Sequence, residues 1–318
     1  MKSSFNLLLI CCTMFFSVSV WANVTLPSLV SSDMVLQQNA EIRLWGWGDP
    51  LEEVEILTSW NGEVIKTVTD SHANWSVQVM TPEASGPYQI KISGYNQILL
   101  KNVMIGEVWV CSGQSNMQWP LSGGVNRGEE EIAVADLPDL RLFQVVRKSA
   151  EAEQIDLQGK WEVCKPETAK DFSAVGYYFA KQIQQNLKVP VGIINSSWGG
   201  TPAEAWIPEK FFIANDSLRA ASVLLKPQPW GPQKPSLVFN AMIQPLRHLK
   251  IAGVIWYQGE DNTVNAKYYE SVLSKLIASW RDLWRQELPF YYVQIAPFAY
   301  GEPEQGVQVR DAQRRVLQ

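Results

Sequence analysis

Gly106 to Pro120 reads GEVWVCSGQSNMQWP: a short apolar run, a glycyl break, then a serine. The run Val108-Trp109-Val110-Cys111 is β-favouring and uninterrupted, which predicts a strand buried on both faces of a parallel sheet. Ser112-Gly113 ends it. Gly113 can take backbone angles closed to other residues, so the chain can turn sharply and present Ser115 at the carboxyl end of the strand, where a nucleophile belongs. A glycine two residues before a serine also marks ordinary turns, so the triplet alone does not decide between the two.

Two further apolar runs end in the same manner, at VGIINSSWGGTPAEAW (Val191 to Trp206) and at AGVIWYQGEDN (Ala252 to Asn262). Three parallel strands ending in Ser, Gly-Gly and Gln-Gly-Glu would gather those residues at one rim of a sheet. Arg141 to Val146 and Phe290 to Ile295 are further strand candidates. Between them, Phe172, Val175, Phe179 and Ile183 recur at helical spacing, as do Tyr269, Val272, Leu273, Leu276, Ile277 and Trp280. The expectation is a doubly wound parallel α/β sheet of about five strands from residue 101 to residue 318.

Ahead of it, residues 23–100 show short alternating runs such as Ile42 and Leu44, Trp75, Val77 and Val79, and Tyr88, Ile90 and Ile92. They predict a small all-β sandwich of roughly six to eight strands, with a tight hairpin at Asn61-Gly62. Residues 1–22 read as a signal peptide: Lys2, an apolar stretch from Phe5 to Val20, and small residues at Val20 and Ala22. The apolar core is short of the ~20 residues a spanning helix needs, so a secreted or periplasmic protein is expected, with no membrane span once the signal is removed. Net charge is −5 with no run of Lys or Arg, which argues against nucleic acid. Cys11 and Cys12 leave with the signal; Cys111 and Cys164 read as buried thiols rather than a framework of disulfides. No metal or cofactor pattern is present. His72 and His248 lack ligand spacing, the first in a polar turn of the β-rich segment and the second just before a strand, on the face opposite Ser115.

Gly113-Gln114-Ser115-Asn116-Met117, Asn195-Ser196-Ser197-Trp198-Gly199-Gly200-Thr201 and Trp256-Tyr257-Gln258-Gly259-Glu260 together resemble the successive blocks of the sialate O-acetylesterases, within the SGNH-type hydrolases. The resemblance runs from about Asn23 to the last residue, and three ordered blocks are far more specific than one. It implies an exported serine esterase that removes O-acetyl groups from sialic acids or related sugars through an acyl-enzyme. Ser115 would be the nucleophile; the backbone N–H of Ser115 and of Gly200 and the side chain of Gln258 would form the oxyanion hole, with Asn262 the alternative to Gln258. Asn116, Gly199 and Glu260 would support the loops. Among the 14 tryptophans, Trp119, Trp198 and Trp206 fall inside the blocks, where indole could stack on a sugar or simply pack. Asp70-Ser71-His72 has Asp-x-His spacing but lies in the polar turn of the β-rich segment; from residue 101 to Gln318, which falls within the helix expected at Val309 to Gln318, there is no Asp-x-x-His or Asp-x-His pair, so the base and its orienting acid are expected beyond this chain. Two other readings stay open: an acetylesterase of plant or other glycans, and a non-catalytic glycan-binding surface protein. The residues do not fix the oligomeric state.

Overall fold

The computed structural model describes residues 23–302 and 304–317; the expected signal segment lies outside them. Among the described residues the first strands are β1 (Val35–Gln37), β2 (Glu41–Trp47), β3 (Glu53–Thr58), β4 (Val64–Val68), β5 (Asn74–Met80) and β6 (Ser85–Ser93). They are followed by β7 (Gln97–Gly113), β8 (Leu137–Gln144), β9 (Trp161–Cys164), β10 (Val191–Ser197), β11 (Gly253–Tyr257) and β12 (Phe290–Tyr292).

The strand expected at Val108 to Cys111 is the end of the 17-residue β7. Its first half pairs antiparallel with β6 (Leu100 opposite Ile90) and parallel with β1 (Met104 opposite Val35). Its second half lies between two parallel neighbours, with Trp109 opposite Ile193 of β10 and Cys111 opposite Ile255 of β11. The expected division between residues 100 and 101 therefore falls inside a strand. The amino-terminal strands continue outward from β6 as the antiparallel order β6, β3, β4, while β2 and β5 form a separate antiparallel ladder. Asn61 and Gly62 lie in the β3–β4 turn, where Gly62 takes φ +70°.

The carboxyl-terminal half is ordered β9, β8, β10, β7, β11, β12, parallel throughout except for β9 at the edge. From β7 the chain steps out one way to β8 and β10, then crosses to the other side for β11 and β12. The end of β7 is thus a switch point, the crevice where open α/β sheets place their ligands. Alternation along β7 splits the apolar core in two. Val108 and Val110 share one cluster with Ile194, Val254 and Trp256, under Val272, Leu276 and Trp280 of the helix Tyr269–Trp284. Trp109 and Cys111 share the other with Leu142 and Ile193, under Tyr177 and Ala180 of the helix Ala174–Leu187. Helices on both faces explain why the strands read as continuous apolar runs.

At the β12 edge the structure departs from the expected run Phe290 to Ile295. Val293 N still donates to Trp256 O at 2.9 Å, but Ile295 N donates to the Gln313 side chain at 3.0 Å. A residue of the last helix, Gln305–Arg315, therefore takes over from the ladder. Cys111 and Cys164 are free and buried, and burial pushes the Cys164 thiol up to about 12.

β10 joins β7 at Gly106, where a Cβ would collide with the Pro190 carbonyl oxygen; Glu107 N donates to that oxygen at 2.9 Å. Gly106→Ala should therefore lower stability by about 1–3 kcal/mol, the usual cost of overpacking. A urea titration that left the midpoint unchanged would show that the two strands can part at that point without loss.

Candidate active site

Gly113 closes β7 at φ +137°, and a Cβ there would collide with the carbonyl oxygen of Tyr257 at the end of β11. Only glycine permits this approach. The Gln114 amide then donates to that same oxygen at 3.0 Å, and its buried side-chain oxygen accepts from Gly259 N at 3.4 Å and Asp261 N at 3.2 Å. Ser115 follows as the first residue of a one-turn helix, Ser115–Gln118. It is exposed, and among the described residues its hydroxyl has no hydrogen-bond partner.

The turn after β10 comes to meet it. Trp198 N donates to Gly113 O at 3.0 Å, and Gly199 N to Gln118 Oε1 at 2.7 Å. Thr201 Oγ1 closes the turn on Trp198 O at 2.7 Å, with Gly200 at φ +70°. A Cβ on Gly199 would stand 3.3 Å from the Ser115 Cβ, so any larger residue there would crowd the serine. From β11, Glu260 accepts from Asn116 Nδ2 at 2.6 Å. Burial, followed by the charge of Asp261, holds the Glu260 carboxyl above its ordinary range against the pull of Asn116. Asp261 is raised by burial as well.

Gln258 and Asn262 have their side-chain amides engaged within the protein. Both are fully buried. The two N–H of Gln258 go to Asn262 Oδ1 at 2.7 Å and Thr201 O at 3.2 Å, while its oxygen accepts from Tyr269 OH at 2.8 Å. The two N–H of Asn262 go to Glu204 Oε2 at 2.7 Å and Asn265 Oδ1 at 3.0 Å. A primary amide has two donors, so neither side chain has one left for a substrate oxygen. What they do is tie the loop after β10 to the loop after β11, helped by Ala203 N donating to Asn262 Oδ1 at 2.8 Å. Trp206 is also removed from the surface: it is fully buried, edge-on to Trp256 with ring centroids 5.8 Å apart.

Trp198 is half-buried, with its indole N–H on Trp230 O at 3.1 Å. Trp119 is 51% exposed. It lines a cleft of about 570 Å³ with Asn116, Val125, Val175, Tyr178 and Tyr257, beside Ser115 in sequence and mostly apolar. His72 sits in the exposed turn before β5. His248 precedes β11 at its amino end, whereas Ser115 follows β7 at its carboxyl end. The paired segments Trp109–Gly113 and Gly253–Tyr257 separate them by about 13 Å of strand.

Glu204 and Asn265 went unnoticed in the sequence. Glu204 is fully buried and accepts from Asn265 Nδ2 at 2.7 Å as well as from Asn262, with no ion pair among the described residues. The available signal was the pair of asparagines three residues apart after a glycine-led strand end. They signal a polar network, but not the carboxylate at its centre.

Residues 105–318 match the family described as carbohydrate esterase, sialic acid-specific acetylesterase. A sialate O-acetylesterase of Pongo abelii is 34% identical over 296 aligned residues, covering 85% of this chain and 56% of that protein. The sialate O-acetylesterase of Homo sapiens is 33% identical over 306, with the same 85% and 56% covered. Among solved structures, a carbohydrate acetylesterase from Xanthomonas citri superposes with a TM-score of 0.83 at 33% identity, covering 92% of this chain and 66% of that one. The chain spans little more than half the length of the curated relatives.

The Glu204 network carries a pH signature. Burial raises its carboxyl above the ordinary 4.5, outweighing the two asparagine donors. A raised folded-state value contributes stability that is complete below the unfolded value and is lost as pH climbs through the folded one. Glu204→Gln sets an N–H against an asparagine N–H and should cost about 1–3 kcal/mol at acidic pH. Above the ordinary value only the wild type is weakened by ionisation at this position, so the gap should narrow. Urea titrations across the pH range test this, and a gap that widens with pH would contradict it.

Proposed function

The chain belongs to the sialic acid-specific acetylesterases among the carbohydrate esterases, and from that membership and the geometry of the sheet rim we propose that it is an exported serine esterase removing O-acetyl groups from sugars through an acyl-enzyme. The observation that carries this reading is the approach of Gly199 to an exposed Ser115 that has no partner among the described residues. Ser115 Oγ attacks the acetyl carbon, and the backbone N–H of Ser115 and of Gly200 serve as the donors to the oxyanion. The sugar alkoxide then leaves with a proton, and water attacks the acyl carbon to release acetate.

A base within about 3 Å must take the serine proton. Neither histidine of this chain is placed to do so. Asn116 and Glu260 fix the position of the short helix against the β11 loop, and Trp119 offers its face to the sugar. The amino-terminal strands, with Ile42, Leu44, Val54, Ile56, Trp75 and Ile90 in one core, are read as the expected small sandwich, buttressing the sheet through β7. A compartment that does not N-glycosylate suits the fold, because Asn195, a sequon residue, is 1% exposed and its amide donates to Gln144 Oε1 at 2.8 Å.

A second reading, removal of acetyl groups from neutral glycans, is favoured by the charge at the rim. Glu260 accepts from Asn116 in the wall of a cleft whose lining carries no cation among the described residues, so that lining offers a sugar carboxylate no partner. Rates on an O-acetylated sialic acid and on an acetylated neutral sugar, measured side by side, separate the two readings. A preference for the sialic acid would set the second aside.

In the full-length protein, Ser115→Ala should reduce acetate release by about 10³-fold or more, whereas His72→Ala and His248→Ala should each change it by about twofold or less. Near-wild-type hydrolysis by the serine variant, or collapse of activity in either histidine variant, would overturn the assignment. Trp119→Ala should raise KM for an acetylated glycan while leaving a small aryl acetate unaffected. Equal effects on both substrates would remove Trp119 from the sugar-binding face.

A further inference from the structure

On the opposite rim, below the amino end of β11, lies a pocket of about 370 Å³ that none of this chemistry uses. Its walls bring together Glu41 and Arg43 of β2, Arg247, His248 and Lys250 from the segment leading into β11, and Arg285 from the end of the helix Tyr269–Trp284. Four cations thus face one carboxylate, in a chain whose net charge is −5. None of the four makes an ion pair with a described residue. Glu153 reaches Arg247 only through its longer-range field, and burial is what governs Arg43.

Arg43 organises the pocket. Its Nη2 donates to Ser76 Oγ at 2.9 Å, its Nη1 lies 3.1 Å from His248 Nδ1, and its Nε–H is buried without a partner. A guanidinium has donors only, so Nδ1 of His248 must be the bare, accepting nitrogen, which leaves the imidazole proton on Nε2. Edge-to-face packing on Trp45, with centroids 5.4 Å apart, fixes the ring. Burial and the neighbouring Arg247 and Arg43 hold His248 down at about 4, so near neutral pH it adds a donor without adding charge. Partly desolvated guanidiniums without a counter-ion are an unfavourable arrangement that an anion would relieve.

We propose that this pocket is a second, non-catalytic site for an oxyanion, a carboxylate or sulfate group carried by an acidic sugar residue. The group sits between the guanidiniums of Arg43 and Arg247, with Lys250 and Arg285 at the mouth. Planar forks of paired N–H match the oxygen spacing of such groups, and the volume accommodates one sugar residue. The site joins β2 to the segments flanking β11, so an occupant braces the amino-terminal strands against the parallel sheet. It stands independently of the role given to Ser115.

His72, in an exposed turn before β5, serves as the internal control, and the His248 resonance is identified by its loss in His248→Gln. The full-length protein, carbon-13-labelled at histidine, is titrated with sodium glucuronate, sodium sulfate and glucose at constant ionic strength. The expected result is a saturating shift of the His248 resonance with glucuronate or sulfate, none with glucose, and a still His72. Tighter binding of glucuronate names an acidic sugar as the source; tighter binding of sulfate names a sulfate group. Arg247→Gln, checked for an unchanged fold by circular dichroism, should weaken binding by about tenfold or more, and so should Lys250→Ala combined with Arg285→Ala. Ser115→Ala should bind as the wild type does. Titrations that fail to saturate, or that are unchanged in both sets of variants, would overturn the proposal.

Discussion

The carbonyl oxygen of Tyr257 occupies the space a side chain on residue 113 would need. That one approach sets the rest of the rim. It lets β7 and β11 end side by side, and it hands the same oxygen to the Gln114 amide. The next residue is then delivered to the surface rather than back into the sheet. The turn after β10 completes the arrangement through a second glycine, Gly199, whose missing side chain leaves room for Ser115. Two backbone positions without a side chain leave the room in which the three strand ends meet, and the ladders and the Gln114 and Trp198 amides hold them there.

What holds the loops once gathered is a layer of buried amides behind the serine. Thr201, Ala203, Glu204, Gln258, Asn262, Asn265 and Tyr269 hand hydrogen bonds from one to the next, linking two loops that share no ladder. Such a network is strong only when every member is satisfied, and here the amides are fully used. Burial holds the carboxyl at its centre above its ordinary range against the pull of the asparagine donors, which makes the network responsive to pH.

Much of this layout was legible in the sequence because it rests on backbone chemistry. Gly113 and Gly62 take positive φ, as their places after a strand and between two strands suggested. Side-chain roles were less legible. Gln258 looked like a donor because its chemistry allowed it; a sequence shows an amide but not which acceptors its hydrogens meet. Trp206 stayed open between sugar contact and packing for the same reason, since an indole in a functional block and an indole in the core are the same letters. The extent of β7 was hidden for another reason. Its first half faces solvent on one side and alternates, while its second half is covered on both faces and does not. The change of pattern near Lys101 marks a change of surroundings along a single strand, and so it read as a boundary.

The central claim is that Ser115, presented by the Gly113 turn, is the atom that carries the acyl group. The most direct test is to expose the full-length protein, while it is turning over an acetyl ester, to a fluorophosphonate and to map the adduct by peptide mass spectrometry. The account predicts a single phosphonylated serine at position 115, with hydrolysis lost in step with labelling. An adduct at another residue, or continued hydrolysis after Ser115 has been fully modified, would contradict it.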